Sequence, residues 1–432
     1  MSEIDKRVAK MILESLRTSG QPPKWGASEI NVGTERLLDS LRTKYLEDHC
    51  AAVDGLDGGG ACKWVVADYG NGKTQFLRCL QAQSWKLNYV TAYVEFSQEE
   101  CPLDRPERVF AAVARKLQAS PTGPADVDRS LGFDQVLCQL FDRRFEGVLT
   151  GMAPPEDLIK NARQFASELK LIPAESSALL HAASVHLLAK MDGDSERDRI
   201  SKLYLRGESV PISELKTIGV YEKLDASSAF RLLRSVCQLL QRSGLAAGTV
   251  LLFDEAGRTL SLMSPKSQKK TCENLLSVIN HCNSGEFPGT LFLYGMPTDF
   301  FTFADNYPAL QQRCGPATRI NLNELQGLKE LDLLKQIAKK VAKLFSFAYD
   351  FPLPSAEHLL PSLDNLAMKT LGGNPMGSGT RRDLVKSCVA YFDRMREGDS
   401  EILDPTQAEA LLATVREELA TMDRNTTNAD GE

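Results

Sequence analysis

The sequence has 432 residues, 43% of them hydrophobic and 25% charged, which is chain enough for two or three domains with a sizeable core. Its 51 Lys and Arg against 57 Asp and Glu leave a formal net charge of −6, too mild to name a partner, which argues against a dedicated nucleic-acid binder coated in positive charge. No run of about 18 apolar residues appears, so no membrane span is expected. The ten cysteines form no C-x-x-C pair, which argues against structural zinc and for reduced core thiols in a cytoplasmic protein.

The N-terminal stretch "MSEIDKRVAKMILESLRTSG" has helical, amphipathic spacing, and residues 1–30 are expected as a helical segment without the apolar run of a signal peptide. Short β-branched runs follow at Lys63–Ala67 ("KWVVA") and Tyr89–Phe96 ("YVTAYVEF"), and again at Thr249–Asp254 ("TVLLFD") and Thr290–Tyr294 ("TLFLY"). Each neighbours a helix-period segment, so the pattern is that of an α/β protein with a buried parallel sheet.

From Lys73 to Asp254 the chain runs 181 positions, whereas two βαβ crossovers at roughly 30 residues each need far fewer. Residues 120–228 are therefore expected as a helical insertion between two halves of one core, 31–119 and 229–325. Its start is marked by "SPTGP" at Ser120, and Leu158, Ala162, Phe165 and Leu169 form one stripe within it. The helical reading continues over Glu175–Met191, with Asp192–Asp198 as a polar loop. A second stripe (Leu334, Ile337, Val341, Leu344, Phe345) predicts a C-terminal helical lid over 326–421. Residues 422–432 hold too little apolar surface to fold and are expected as a loose tail.

The stretch "WVVADYGNGKTQFLRCL" leads from the first strand through a Gly-broken loop into a helix. Backbone N–H groups at a helix N-terminus cradle an anion, a lysine reaches the outer phosphates, and a Ser/Thr hydroxyl takes Mg²⁺. Asp68, Tyr69, Gly70, Asn71, Gly72, Lys73, Thr74 and Gln75 are the candidate contacts. Ala67 stands where the first glycine of such a loop belongs, and its methyl is tolerable as long as the local φ is negative. Taken alone, the Gly-x-Gly turn would also fit a plain strand-to-helix connection. The second half of the site decides for nucleotide: "TVLLFDEAG" ends a buried strand in two carboxylates, where α/β sheets bind ligands. Asp254 is the expected Mg²⁺ partner, with Thr74, and Glu255 is expected to orient or deprotonate the attacking water. Positive charge for the transferred phosphoryl group is expected from Arg313 in "PALQQRC", acting on a neighbouring subunit, and from Arg382 in "GTRRDLVK", with Arg381 the alternative. A surface salt bridge remains open for each of these arginines.

Lys266, Lys269 and Lys270 in "PKSQKK" could meet a phosphate backbone, but a solvated helix start explains them better. Solvation is also the expectation for Lys335, Lys339, Lys340 and Lys343. His181 and His186, five apart, do not share a helical face as metal ligands would.

Seven segments in this order ("LRTSGQPPKWGASEINVGTERLLDSL", "VVADYGNGKTQFLRCL", "VEFSQEECPLDRPERVF", "LYLRGE", "LLFDEAG", "LYGMPTDFF" and "PALQQR") resemble the ATP-binding proteins of BREX phage-exclusion systems, a BrxD-like P-loop family. The resemblance covers most of residues 13–390 and is weakest over 125–200. It implies a P-loop NTPase, AAA+-like sheet core with an extra strand between the two motif strands, a helical lid, and ATP with Mg²⁺ as ligands. It also implies Val32 and Gly33 flanking the adenine, a homo-oligomer, and other defence-system components and DNA as partners. The family's polar group after the fourth strand has no clear counterpart at Gly295-Met296-Pro297, and Thr298 is a weak candidate for it. A regulatory nucleotide-binding scaffold with little turnover, or a STAND-type signalling NTPase, are the competing readings.

Overall fold

The computed structural model describes residues 4–429 apart from 69, 98, 152–153, 255–262, 299, 302–303, 305, 324–328, 373–378 and 399–401, with the backbone helix alone over 423–429. The chain divides into two compact units, one of residues 1–38, 66–82 and 321–432, the other of residues 39–65 and 83–320.

Six strands form one sheet: β1 (Gly60–Val66), β2 (Tyr89–Glu95), β3 (Leu117–Gln118), β4 (Gly248–Asp254), β5 (Thr290–Met296) and β6 (Arg319–Asn321), in the order β3-β2-β4-β5-β1-β6. The four expected strands are all present, and β5 is the expected strand between the two that carry the motifs. β2 runs parallel to β4 from Tyr89 opposite Gly248 to Glu95 opposite Asp254, and β4 runs parallel to β5. Every residue of β4 and β5 is buried, as a parallel sheet covered on both faces requires. β3 and β6 had no readable signal because two or three residues cannot show a period; β3 pairs antiparallel to β2.

An aromatic row crosses the sheet near the carboxyl ends of its strands. Phe96 stacks on Phe253 at 5.1 Å, Phe253 on Tyr294 at 4.9 Å, and Tyr294 on Trp64 at 5.2 Å. Such offset pairs add about 0.5–1.5 kcal/mol each beyond burial, so the row stiffens the strand ends on which Asp254 is carried.

Between β3 and β4 the described chain is helical: Phe133–Arg144, Glu156–Glu168, Ser177–Asp192, Ser195–Leu205, Ile212–Thr217 and Ala229–Arg242. The segment read as a polar loop at Asp192–Asp198 instead starts a helix. Asp194 caps it, its carboxylate accepting from the Arg197 N–H at 3.0 Å, so the acidic residues are a cap and first turn.

The other unit is built on the helices Lys6–Ser19, Glu330–Tyr349, Ala356–Gly372, Thr380–Arg396 and Pro405–Ala429. Asp5 caps the first, accepting from the Val8 N–H at 2.8 Å, and its buried face is Val8, Ala9, Ile12, Leu13 and Leu16. These join the predicted Leu334–Phe345 stripe in one core with Leu363, Leu384, Phe392 and Leu411. The last helix runs to Ala429, through most of the segment expected as a loose tail. Extending a packed helix adds one hydrogen bond for each residue fixed, so a polar end can continue a helix that it could not nucleate.

Candidate nucleotide-binding site

The loop after β1 lies in the helical unit with the first turns of the helix Lys73–Lys86. Gly70 and Gly72 hold φ of 82° and 87°, the left-handed region that disfavours side chains. Space forbids a side chain at Gly70 as well, where a Cβ would lie 2.2 Å from the Gly379 backbone nitrogen, while one on Gly72 would lie 2.7 Å from Arg381 Nη1, the movable end of a long side chain. Ala67 is fully buried and is not one of the described non-glycine residues with positive φ, which are Asp54, Asn88, Glu146 and Asp350. Its methyl therefore sits in ordinary backbone, the condition under which alanine can replace the expected glycine.

The loop's own polar groups are engaged. The Lys73 ammonium donates to the carbonyls of Ala67 and, at 3.2 Å, Asp68. Asn323, two residues beyond β6, accepts from the Asp68 N–H at 3.2 Å and from Asn71 Nδ2 at 2.8 Å, and donates to the Asp68 carboxylate at 3.1 Å. From the start of the helix Thr380–Arg396, Arg381 Nη1 donates to the Asn71 carbonyl at 2.6 Å. Arg381 Nε is buried with no hydrogen-bond partner among the described groups. Burial pulls this guanidinium below its ordinary value, Glu330 opposing. A desolvated cation with an unmet donor carries a cost that a hydrogen-bonding anion would relieve.

Arg382 is turned elsewhere. Its Nε donates to the Ser19 carbonyl at 2.7 Å, at the end of the first helix, so of the two adjacent arginines Arg381 is the one on the loop. Gln75 donates to the Ala27 carbonyl at 2.5 Å. Val32 is buried in the helical core and Gly33 holds φ of 83°, while Lys340 reaches the Asn31 carbonyl. The latter lysine and Lys335, which pairs with Asp364 at 2.8 Å, are both partnered yet still partly exposed. Lys339 and Lys343 are exposed, and Lys266, Lys269 and Lys270 lie in the first turns of the helix Pro265–Asn283.

In the sheet unit, Asp254 ends β4 at 1% exposure, and the Tyr93 hydroxyl donates to its Oδ2 at 2.5 Å. Glu95 stands opposite it on β2. Arg313 closes the helix Pro308–Arg313, its Nε donating to Asn280 Oδ1 at 3.1 Å and its Nη1 to the Ala309 carbonyl at 3.2 Å. Tyr69 and Glu255 lie outside the described residues. Asn323 and Tyr93 carry no motif that would have singled them out; both act across long stretches of sequence.

His186, fully buried, meets Cys138 Sγ at 3.4 Å on one nitrogen and the Asp198 carboxylate at 3.0 Å on the other. Lys190 pairs with the same carboxylate at 2.9 Å. Burial pushes the Asp198 carboxyl up, but His186 and Lys190 outweigh it and hold the group at about 2. All ten cysteines are free and all but Cys62 and Cys138 are buried. Among the described residues no helix is long and apolar enough to cross a membrane.

A protein-family model described as BREX system ATP-binding protein BrxC/D matches residues 4–401. Comparison with curated proteins gives no match, and comparison with solved structures gives none. With nearly its whole length matched, the chain belongs to the family of BREX system ATP-binding proteins BrxC/D.

Proposed function

We propose that this protein binds ATP with Mg²⁺ on an AAA+-like P-loop core and hydrolyses it in the service of phage defence. The observation that carries the reading is the loop with its arginine: two glycines in the left-handed region, a lysine and a threonine opening a helix, and the buried Arg381 with a donor unmet. These groups fit a polyphosphate, because successive N–H groups and two cations are what its oxygens need.

In this reading Lys73 leaves the Ala67 and Asp68 carbonyls for the outer phosphates, and Arg381 takes the place first given to Arg382 in neutralising charge. Magnesium, when bound, would spread the charge building on the phosphoryl oxygens. Thr74 and Asp254 would supply hard oxygen ligands suited to it, directly or through water. Glu255 would accept the proton of the attacking water, and Arg313 would complete the site of a neighbouring copy. In this reading the protein acts with other defence components and on DNA.

Titration with ATP and steady-state phosphate release, each with and without DNA, test the reading. Lys73→Ala should abolish ATP binding, and Glu255→Gln should keep binding and stall turnover. Tight ATP binding by Lys73→Ala refutes the loop assignment. Binding without turnover in the wild type would favour a nucleotide-set scaffold instead.

A further inference from the structure

A carboxylate that is almost wholly buried needs donors to compensate for lost water, and the phenol of Tyr93 donates to Asp254 Oδ2 at 2.5 Å. Tyr93 is itself 7% exposed and sits on β2, two residues before Glu95, the register partner of Asp254. The two side chains thus face each other from adjacent, fully paired strands stiffened by the stacking of Phe96, Phe253 and Tyr294. A hydroxyl-to-carboxylate bond this short belongs to the strong, charge-assisted class. It fixes the rotation of the carboxylate about its last torsion, which is otherwise broad.

We propose that Tyr93 is a positioning residue for the divalent cation: by holding Oδ2, its phenol sets the Asp254 carboxylate in the orientation that receives the metal or a metal-bound water. The inference rests on the reading of Asp254 as the Mg²⁺-side carboxylate. It assigns Tyr93 no contact with phosphate and no proton transfer. Removing the hydroxyl leaves the ring's packing intact and lets the carboxylate turn, so the cation meets a less ordered ligand.

The test uses the full chain with ATP and Mn²⁺ as a paramagnetic probe, free and bound metal being separated by electron paramagnetic resonance. Tyr93→Phe should weaken Mn²⁺ binding in the ternary complex about tenfold, the loss expected for a hydrogen bond to a charged group. ATP binding measured in EDTA should not move. Asp254→Asn should weaken Mn²⁺ binding further, and adding Tyr93→Phe to it should have no additional effect. Wild-type Mn²⁺ affinity in Tyr93→Phe, alongside a loss in Asp254→Asn, overturns the inference and leaves the reading of Asp254 standing. Unchanged affinity in Asp254→Asn refutes that reading itself, and the inference with it. A lowered denaturation midpoint with unchanged Mn²⁺ affinity would make the phenol purely structural and also overturn the proposal. Should Tyr93→Phe not fold, 3-fluorotyrosine at position 93 keeps the ring and strengthens the donor; a Mn²⁺ affinity that fails to shift overturns the proposal equally.

Discussion

Replacing Arg381 by alanine removes the cation whose Nη1 holds the Asn71 carbonyl at 2.6 Å and whose Nε is buried without a partner. Without nucleotide the change should be mild, because the lost bond is offset by relief of a desolvated charge. With ATP bound, the same guanidinium is expected to donate to phosphate, and a charge-assisted bond is worth about 1.5–3 kcal/mol. At 1.4 kcal/mol per factor of ten, ATP binding should weaken roughly 10- to 100-fold. Arg382→Ala is the matched control, one residue along the same helix. It removes the bond from Nε to the Ser19 carbonyl at 2.7 Å, about 1 kcal/mol, and uncovers Gly20, against which the Arg382 stem is packed. The expected result is a thermal midpoint lower by a few degrees, at about 2–4 °C per kcal/mol, with ATP affinity within about twofold of wild type. Isothermal titration with ATP and thermal denaturation without it separate the two effects. A large affinity loss in Arg382→Ala with none in Arg381→Ala would refute the assignment of Arg381 to the phosphates.

Ala67→Gly supplies the glycine that the usual loop would have, yet it should not tighten ATP binding in a nucleotide titration, since no positive φ is required there; loss of a buried methyl and added chain entropy should destabilise by about 1–2 kcal/mol in denaturant unfolding. Gly70→Ala should cost about 1–2 kcal/mol for the left-handed backbone alone, and the contact with Gly379 should make it lose ATP affinity as well. Asp198 lies at about 2, below its ordinary value, so its contribution is present above about pH 4 and is lost as pH falls from about 4 towards 2. Two units correspond to about 2.5 kcal/mol at full value, and screening of this partly exposed carboxylate reduces that to about 1 kcal/mol. Acid denaturation followed by circular dichroism should show this component in the wild type and not in Asp198→Asn.

What the sequence disclosed and what it withheld divide along sequence distance. Val250–Phe253 and Leu291–Tyr294 announce their strands because an unbroken apolar run has few other uses in so short a length. The Leu334–Phe345 stripe announces its helix through period alone, and the glycines at 70 and 72 announce the left-handed turn that leads into the helix at Lys73. The partners of these groups are not local. Asn323 meets Asp68 across 255 positions and Arg381 meets Asn71 across 310, so only folding shows which arginine of the pair reaches the loop. Asp194 and the end of the last helix misled for a different reason: acidic and polar residues look like loop until one knows that a neighbouring helix is there for them to cap or extend.

The loop's hydrogen bonds also bear on how it would take a ligand. Asn323 holds Asp68 and Asn71 from one side and Arg381 holds Asn71 from another, so the turn is shaped by side chains outside it. A loop fixed in this way need not be ordered by the nucleotide, and binding spends little free energy on conformational entropy. What must change is the partner of Lys73, which now donates to two neutral carbonyls. Exchanging carbonyl for phosphate oxygens sets an anion against the ammonium and adds a Coulombic attraction that a neutral ligand would not supply. If the loop takes a nucleotide as proposed, selectivity for a polyphosphate over a nucleoside would come from this exchange at Lys73 as much as from the N–H groups of the helix start.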